Sequence, residues 1–188
     1  MTPSLVIVSG LPGAGKTTLA HALGPRLGLP VFVRDELKDA MLDVLGWSDL
    51  AWSQKIGAAS WELLYLIAER LLGAGRSVLL ESNFDKRGHP DKLPALRERV
   101  PHRLVEVWCN APADVCWQRF EDRWRDGRRH PGHAQDEWMH VHGRFDPDSV
   151  PTGVADVLVE VDTTDPASVF VDDVVRRIQE AMDGHEDR

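Results

Sequence analysis

The feature that most constrains the fold of this chain is a glycine-rich segment joining an apolar run to a helix-forming run. The apolar run, residues 4–9, is rich in β-branched side chains, which predicts a strand buried on both faces of a parallel sheet. The next segment, residues 10–17, fits the pattern G-x-x-x-x-G-K-[ST]. Because a helix begins inside it, the backbone N–H groups and the helix N-terminus should point into one anion-binding pocket. The pattern therefore predicts a strand, a phosphate-binding loop and a helix in succession.

Beyond this segment, apolar runs of strand length alternate with amphipathic runs of helix length. The alternation predicts βαβ crossovers and a parallel sheet with helices on both faces, with ligands at the carboxyl edge of the strands. The 188 residues suit one such domain, residues 1–188. Further strands are predicted at residues 30–33, 77–81, 103–109 and 157–161. Helices are predicted from residue 16 to a stop at Gly24-Pro25, from residue 35, and at residues 53–72, 93–100, 113–125, 136–144 and 167–182.

Charge, cysteine content and hydropathy exclude several classes of protein. The net charge of -8 disfavours a general nucleic-acid binder, although local basic clusters leave a short oligonucleotide open as a partner. Cys109 and Cys116 are too few for a disulfide scaffold and are expected to be reduced and structural. No apolar stretch approaches a membrane span, and the apolar run at residues 5–8 is too short for a signal peptide. We therefore predict a cytoplasmic location with no membrane partner, and no obligate protein partner is evident.

In the glycine-rich loop, the pattern predicts a specific role for the side chains of Lys16 and Thr17. Lys16 is expected to bridge the β- and γ-phosphates of ATP, and Thr17 to offer its hydroxyl to Mg²⁺. Small residues in the loop let the backbone wrap closely around phosphate oxygens. The alternative interpretation of the same pattern is a glycine-rich turn before an ordinary helix, with no bound phosphate. The residues expected to contact the nucleotide are Gly10, Pro12, Gly13, Ala14, Gly15, Lys16, Thr17, Thr18 and, as argued below, Arg119.

Two subclasses of phosphate-loop protein fit poorly. The Asn-Lys-x-Asp motif of GTPases is missing, because the sequence contains no Asn-Lys pair. A motor-type ATPase would have a strand ending in aspartate as a partner for Mg²⁺, and the nearest match ends instead in Glu81. Glu81 is therefore an imperfect match, and we retain it as a candidate metal residue.

Asp35 follows the second predicted strand, at the same sheet edge as the phosphate loop. A carboxylate in this position could accept the proton of an acceptor hydroxyl or orient that hydroxyl during phosphoryl transfer. It could equally be an acidic residue that favours the helix dipole at an N-terminus.

Arg119 and Arg123 lie four residues apart on one face of a predicted helix. Arg119 could lie against an adenine ring, and Arg123 could neutralise the charge on a transferring phosphoryl group. A solvated basic helix face is the alternative. Arg125, Arg128 and Arg129 continue the positive strip into residues 125–133, which read as an exposed, mobile loop and the start of a lid at about residues 125–143.

Residues 35–52 and 83–91 should wall an acceptor pocket, because both segments follow strands at the carboxyl edge. Trp47 and Trp52 could stack on a sugar or a base, or pack beneath a loop. Basic side chains that could hold an anionic acceptor are Arg34, Lys38, Lys86 and Arg87, and Asn83 lies in the same wall. The histidines of the predicted lid could bind zinc, touch phosphate or be solvated, and their spacing does not favour zinc: His130, His133, His140 and His142.

Four motifs together resemble one group of P-loop kinases, which takes in AAA_33 proteins, zeta toxin, chloramphenicol phosphotransferase, polynucleotide kinase and gluconate kinase. They are Gly-Leu-Pro-Gly-Ala-Gly-Lys-Thr-Thr at residues 10–18, Arg-Asp-Glu-Leu-Lys at 34–38, Gly-Arg-Ser-Val-Leu-Leu-Glu-Ser-Asn-Phe at 75–84, and the arginine lid. The motifs cover most of the chain, and only the first is highly specific.

The resemblance implies a three-layer P-loop kinase fold with a five-stranded parallel sheet in the order 2-3-1-4-5 and an arginine-rich lid. It supports Asp35 as the base and Arg123 as the lid arginine that assists transfer, so Lys16, Asp35 and Arg123 are the expected catalytic residues. Lys38 stands where polynucleotide kinases have a basic residue, while Glu81 departs from the aspartate of many relatives.

The resemblance implies an ATP- and Mg²⁺-dependent kinase acting on a hydroxyl of a small molecule. Substrate contacts are then expected from Arg34, Asp35, Lys38, Asn83 and Arg87. A polynucleotide 5′-hydroxyl kinase and a nucleotide-controlled, toxin-like or regulatory binding module are the alternatives.

Overall fold

The computed structural model describes residues 2–84, 91–146 and 149–184, and its centre is one parallel five-stranded sheet. The strands are β1 (Ser4–Gly10), β2 (Val31–Val33), β3 (Val78–Glu81), β4 (Arg103–Asn110) and β5 (Val157–Asp162). Their order is β2-β3-β1-β4-β5, which confirms the order expected from the resemblance. The helices are α1 (Lys16–Leu27), α2 (Arg34–Leu45), α3 (Leu50–Gly73), α4 (Lys92–Arg99), α5 (Ala113–Arg125), α6 (Gln135–His142) and α7 (Val171–Asp183).

The alternation of side chains along β1 explains the three layers. Val6 and Val8 point to one face, where they pack with α1 and α7, whereas Leu5 and Ile7 point to the other face, towards α3 and α4. All seven residues of β1 are buried, as a strand covered on both faces requires. The three-layer α/β architecture predicted from the sequence is therefore confirmed.

The first helix does not stop at Gly24-Pro25 as predicted, because α1 continues to Leu27 and ends at Gly28, which has a left-handed φ of 65°. A proline so close to the end of a helix removes only one backbone hydrogen bond. Gly24 serves packing instead: a Cβ atom there would overlap the side chain of Val31 on β2. The glycine therefore permits close contact between α1 and the sheet.

Two other helices begin three or four residues away from the predicted start, whereas α2, α4 and α6 begin within one residue of it. Asp49 caps α3 by accepting a hydrogen bond from the backbone N–H of Trp52 at 2.8 Å, so the connection before this helix is shorter than predicted. The last helix begins at Val171, because residues 166–168 form a separate 3₁₀ turn capped by Asp165. In the part of the chain described here, no helix has the length and apolar character needed to span a membrane.

The predicted exposure of residues 125–133 is wrong for the second half of this segment. Pro131–His133 form a 3₁₀ helix in which Gly132 and His133 are buried, and the side chain of Arg129 is only 14% exposed. The physical reason is contact with a segment far away in the sequence. His133 and Arg129 reach acidic side chains of α2, and periodicity along one segment gives no signal of such partners.

Candidate active site

The phosphate loop joins β1 to α1 and has three glycines at positive φ: 135° at Gly10, 85° at Gly13 and 86° at Gly15. A Cβ atom on Gly10 would come within 2.6 Å of the Cys109 carbonyl oxygen, and one on Gly13 would overlap the Cys116 carbonyl. Small residues here therefore also permit close packing against β4 and α5. Both cysteines are free and buried.

Lys16 and Thr17 lie at the floor of a cavity next to Glu81. Lys16 is buried and donates to the Leu11 carbonyl oxygen at 2.8 Å, which folds the side chain back over the loop. The Thr17 hydroxyl donates to Glu81 Oε2 at 2.6 Å. Burial raises the pKa of Glu81, although the positive charge of Lys16 and the Thr17 hydrogen bond oppose the shift.

The cavity has a volume of about 610 Å³ and opens between the phosphate loop, the α2–α3 pair and the α5–α6 region. It brings together almost all of the predicted site residues from segments far apart in the sequence. Those lining it are Pro12, Gly13, Gly15, Lys16, Thr17, Thr18, Arg34, Asp35, Lys38, Glu81, Asn83, Arg119 and Arg123. Gly10 and Ala14 are buried in the loop behind it, and Arg87 lies outside the described residues, as does Lys86.

Asp35, in the first turn of α2, faces this cavity and contacts two guanidinium groups. Arg34 donates to Oδ1, and Arg129 Nη1 lies 3.3 Å from Oδ2. Burial alone would raise the pKa of Asp35, but the charges of Arg129 and Arg34 hold it well below the usual range. Asp35 is thus an ionised carboxylate within the cavity and does more than complement a helix dipole.

Arg129 is the residue whose contact with Asp35 the sequence did not reveal. It was visible only as one member of a basic strip, and it lies 94 positions after the carboxylate that it contacts. Its guanidinium also lies over the Phe120 ring, with 5.6 Å from Cζ to the ring centroid. The basic strip of Arg125, Arg128 and Arg129 could not by itself show which of the three would contact Asp35.

Arg119 and Arg123 both line the cavity from α5 but differ in their contacts. Arg119 donates to the carbonyl oxygens of Thr163 and Thr164 at 3.0 and 2.7 Å, which ties α5 to the loop after β5. Arg123 has a buried Nε with no hydrogen-bond partner among the described residues. Arg123 therefore has unused donor capacity beside the cavity.

Lys38 and Arg34 line the cavity next to α3. Lys38 is only 6% exposed, and its ammonium donates to Ser53 Oγ at 2.8 Å. Burial and repulsion from Arg34 lower the pKa of Lys38 to about 8. Arg34 lies over the Trp61 ring, at 5.4 Å from the centroid. Asn83 faces the same space and accepts a hydrogen bond from Ser82.

The tryptophans in the cavity wall are Trp61 and Trp138, and not the two named from the sequence. Trp47 is 52% exposed and lies edge-on to His130, while Trp52 donates its indole N–H to the Gly46 carbonyl oxygen. Trp61 lies within residues 53–72, which were predicted only as a helix, and the pattern there gave no sign of a cavity.

Three of the histidines in the predicted lid have separate partners. His133 Nε2 lies 2.7 Å from Asp39 and His130 Nε2 lies 3.2 Å from Asp43, while the ring of His142 stacks on Trp138. Across the described ranges, no group of three or more His, Cys, Asp or Glu side chains could hold a metal ion.

A glycine-rich loop between a buried strand and a helix, with Lys16, Thr17 and Asp35 around one cavity, defines the chain as a nucleotide-binding protein with the P-loop kinase fold. The chain belongs to the family described as AAA domain (AAA_33), whose pattern matches residues 5–147. The group of P-loop kinases identified from the sequence motifs is thereby confirmed.

Solved structures of similar fold include a protein from Chloroflexus aurantiacus j-10-fl described as a "putative kinase". It is 35% identical, with a TM-score of 0.87 over 96% of this chain and 99% of that one. The Mycobacterium tuberculosis APS kinase, solved with AMPPNP and APS, is 19% identical, with a TM-score of 0.63 over 97% and 98% of the two chains.

An uncharacterized protein of Mycobacterium tuberculosis strain H37Rv is 30% identical over 132 residues. The match takes in 65% of this chain but only 26% of the relative, so the chain spans about a quarter of that protein.

Proposed function

We propose that the protein is an ATP-dependent phosphotransferase that moves the γ-phosphate of ATP to a hydroxyl of a small molecule. The observation that carries the proposal is the placement of Asp35, in the first turn of α2, in the same cavity as Lys16 and Thr17 of the phosphate loop. A nucleotide-binding loop alone would serve a switch or a motor equally well, whereas a facing carboxylate provides for a second substrate. The P-loop kinase fold and the 35% identity to a protein described as a kinase support this reaction class.

In the proposed reaction the acceptor hydroxyl lies between Asp35 and the γ-phosphate. Its oxygen forms a bond to phosphorus as the bond from phosphorus to the bridging oxygen of ADP breaks, and its proton passes to Asp35. In a loose transition state the carboxylate chiefly orients the hydroxyl, so a low pKa does not prevent this role. Lys16 offsets charge on the β- and γ-phosphates, and Arg123 and Arg129 stand where they can offset charge on the transferred group.

Thr17 and Glu81 are the residues that would hold Mg²⁺. The donor set fits this ion, since a hydroxyl and a carboxylate oxygen already meet at 2.6 Å beside the phosphate loop, and Mg²⁺ prefers oxygen ligands. When bound, the ion would neutralise charge on the phosphates. The proximity of Thr17 and Glu81 is consistent with glutamate standing in for the aspartate of many relatives.

Glu81→Gln tests this assignment. We expect Mg²⁺-supported ATP binding to weaken by about 10- to 100-fold, the usual effect of changing groups around a metal, while metal-free nucleotide binding changes little. Calorimetric titration of ATP with and without Mg²⁺ measures both. Glu62→Gln, at a carboxylate on the α3 side of the same cavity, is the control and should keep the wild-type response to Mg²⁺. Equal effects of the two changes would contradict the assignment.

Lys38 favours an acceptor that also carries an anionic group. Its ammonium is buried in the cavity wall, and its only described hydrogen bond goes to a neutral hydroxyl. Asp35 and Asp39 attract this charge, but neither forms an ion pair with Lys38 in the described structure. Burial of the charge is therefore costly, and a carboxylate or phosphate on the acceptor would relieve that cost.

Because the pKa of Lys38 is about 8, this preference should make the KM for an anionic acceptor depend on pH. The ammonium is charged below this value and neutral above it, so the KM for an anionic acceptor should rise as the pH rises through about 8. Lys38→Met should raise that KM by about 10- to 100-fold, the loss expected for a hydrogen bond to a charged group, and should flatten the pH response. Lys55→Met, at an exposed position on α3, is the matched control. The preference would be contradicted if the acceptor proved to be neutral and its KM changed neither with pH near 8 nor in Lys38→Met.

The experiment that tests the proposed function is a screen of hydroxyl compounds by ATP consumption, with Lys16→Ala as the background. The panel should contain sugars, hydroxy acids, phosphorylated alcohols, nucleosides and a short 5′-hydroxyl oligonucleotide. Steady transfer to a small molecule supports the proposal. Transfer to the oligonucleotide with a steep loss in salt would replace it with a polynucleotide kinase. ATP binding with only slow hydrolysis and a protein partner would replace it with a nucleotide-controlled binding module.

A further inference from the structure

His133 lies at the centre of a chain of hydrogen bonds that ends at Asp35. Its Nε2 lies 2.7 Å from Asp39 Oδ1, and its Nδ1 lies 2.7 Å from Arg129 Nη2. The other terminal nitrogen of Arg129, Nη1, contacts Asp35 at 3.3 Å. The His133 side chain is only 3% exposed, so water does not readily replace these partners.

The chemistry of Arg129 fixes the protonation state of His133. A guanidinium carries only hydrogen-bond donors and keeps its charge in proteins, so His133 Nδ1 must supply the lone pair in their contact. The ring proton then lies on Nε2, where it is donated to Asp39. The contact with Arg129 therefore requires a neutral imidazole, because a protonated ring would direct an N–H at the N–H groups of a cation.

We infer that His133 is a positioning residue, which in its neutral form holds the Arg129 guanidinium against Asp35 in the geometry needed for phosphoryl transfer. The inference rests on the proposed function, because its kinetic consequence is read from the transfer reaction. Asp39 in turn orients the imidazole, so α2 supplies both ends of the chain, at Asp35 and one helical turn later at Asp39.

The charged groups around His133 give the direction of its pH response. Burial is the largest influence and lowers its pKa, Arg129 and Lys38 lower it further, and Asp39 and Asp35 oppose them. Arg123 of α5 adds positive charge near Arg129, and α3, which packs against the 3₁₀ helix, brings Glu62 into the same cavity.

The neutral ring is therefore stable at neutral pH. The hydrogen-bond chain should be lost as the pH falls through a value below the ordinary pKa of about 6.5.

Two substitutions separate positioning from mere packing. In His133→Gln the amide oxygen can accept from Arg129 and the amide N–H can donate to Asp39, but the side chain cannot titrate. We expect kcat close to wild type and loss of the acidic limb of its pH profile. His133→Ala should lower kcat by about 10²-fold, the cost of a small misplacement of a reacting group, with little change in the KM for ATP. His130→Gln, three residues earlier and bonded to Asp43, should keep the wild-type acidic limb.

The test combines these pH profiles with ¹⁵N spectra of the imidazole rings, which report the tautomer without any acceptor. A neutral His133 carrying its proton on Nε2, together with a flattened limb in His133→Gln, supports the inference. A proton on Nδ1 at neutral pH would overturn it, as would an unchanged limb in His133→Gln. If no acceptor is phosphorylated, the proposed function fails, and the ¹⁵N spectra still decide whether Arg129 and His133 are paired.

Discussion

Replacing Asp35 with asparagine is expected to lower kcat for phosphoryl transfer by about 10²–10⁴-fold, the range that a positioned acid–base group contributes. The amide keeps the size of the carboxylate but cannot take the proton of the acceptor hydroxyl. Nucleotide affinity should respond differently. Arg34 and Arg129 lose their shared counter-ion, so ATP should bind as tightly as before or more tightly. Steady-state kinetics and nucleotide titration on the same protein give the two quantities.

Asp43→Asn is the matched control for this prediction. Asp43 lies two turns further along α2, is mostly exposed and pairs with His130 outside the cavity. Its replacement should leave kcat and ATP affinity unchanged. Full transfer activity in Asp35→Asn, with Lys16→Ala inactive, would show that the cavity carboxylate is not the base. The contacts of Arg34 and Arg129 with Asp35 would then not serve phosphoryl transfer.

Replacing Gly13 with alanine is expected to cost about 2–5 kcal/mol of unfolding free energy and to abolish ATP binding. About 1–2 kcal/mol follows from placing a side chain at φ 85°. A further cost of about 1–3 kcal/mol follows from overpacking, because the new Cβ would overlap the Cys116 carbonyl in the first turn of α5. Relief would push α5 away, and with it Arg119 and Arg123. Denaturant unfolding and nucleotide titration measure the two effects.

Gly15→Ala separates backbone strain from this overlap. Gly15 has nearly the same φ, 86°, but a Cβ atom there would meet nothing within 4 Å in the described structure. Its alanine variant should therefore lose only the part due to φ, about 1–2 kcal/mol. If both variants lost the same free energy of unfolding, the close contact with Cys116 would not be the reason that glycine is needed at residue 13.

The accuracy of the sequence-based predictions depended on whether a signal was local. The buried run before Gly10, the loop and the alternating strands predicted the parallel sheet and the floor of the site, because these patterns repeat within about ten residues, whereas the strand order came from the resemblance to P-loop kinases. Helix ends were less accurate. Gly24-Pro25 has the composition of a stop, yet the contact of Gly24 with Val31 on β2 accounts for the glycine. Residues 85–90, which include the predicted contact Arg87, lie outside the described chain.

What the sequence by itself determined is the phosphate loop and the sheet edge to which Lys16, Thr17 and Asp35 belong. Only the tertiary structure decided which side chains surround Asp35, because Arg129 and His133 reach α2 from more than 90 residues away along the chain. Their basic, glycine-bearing segment has the composition of a solvated loop. Burial against acidic partners reverses that expectation, because the energy of the Arg129 ion pair and of the His133 hydrogen bond depends on distance and surroundings, which composition does not contain.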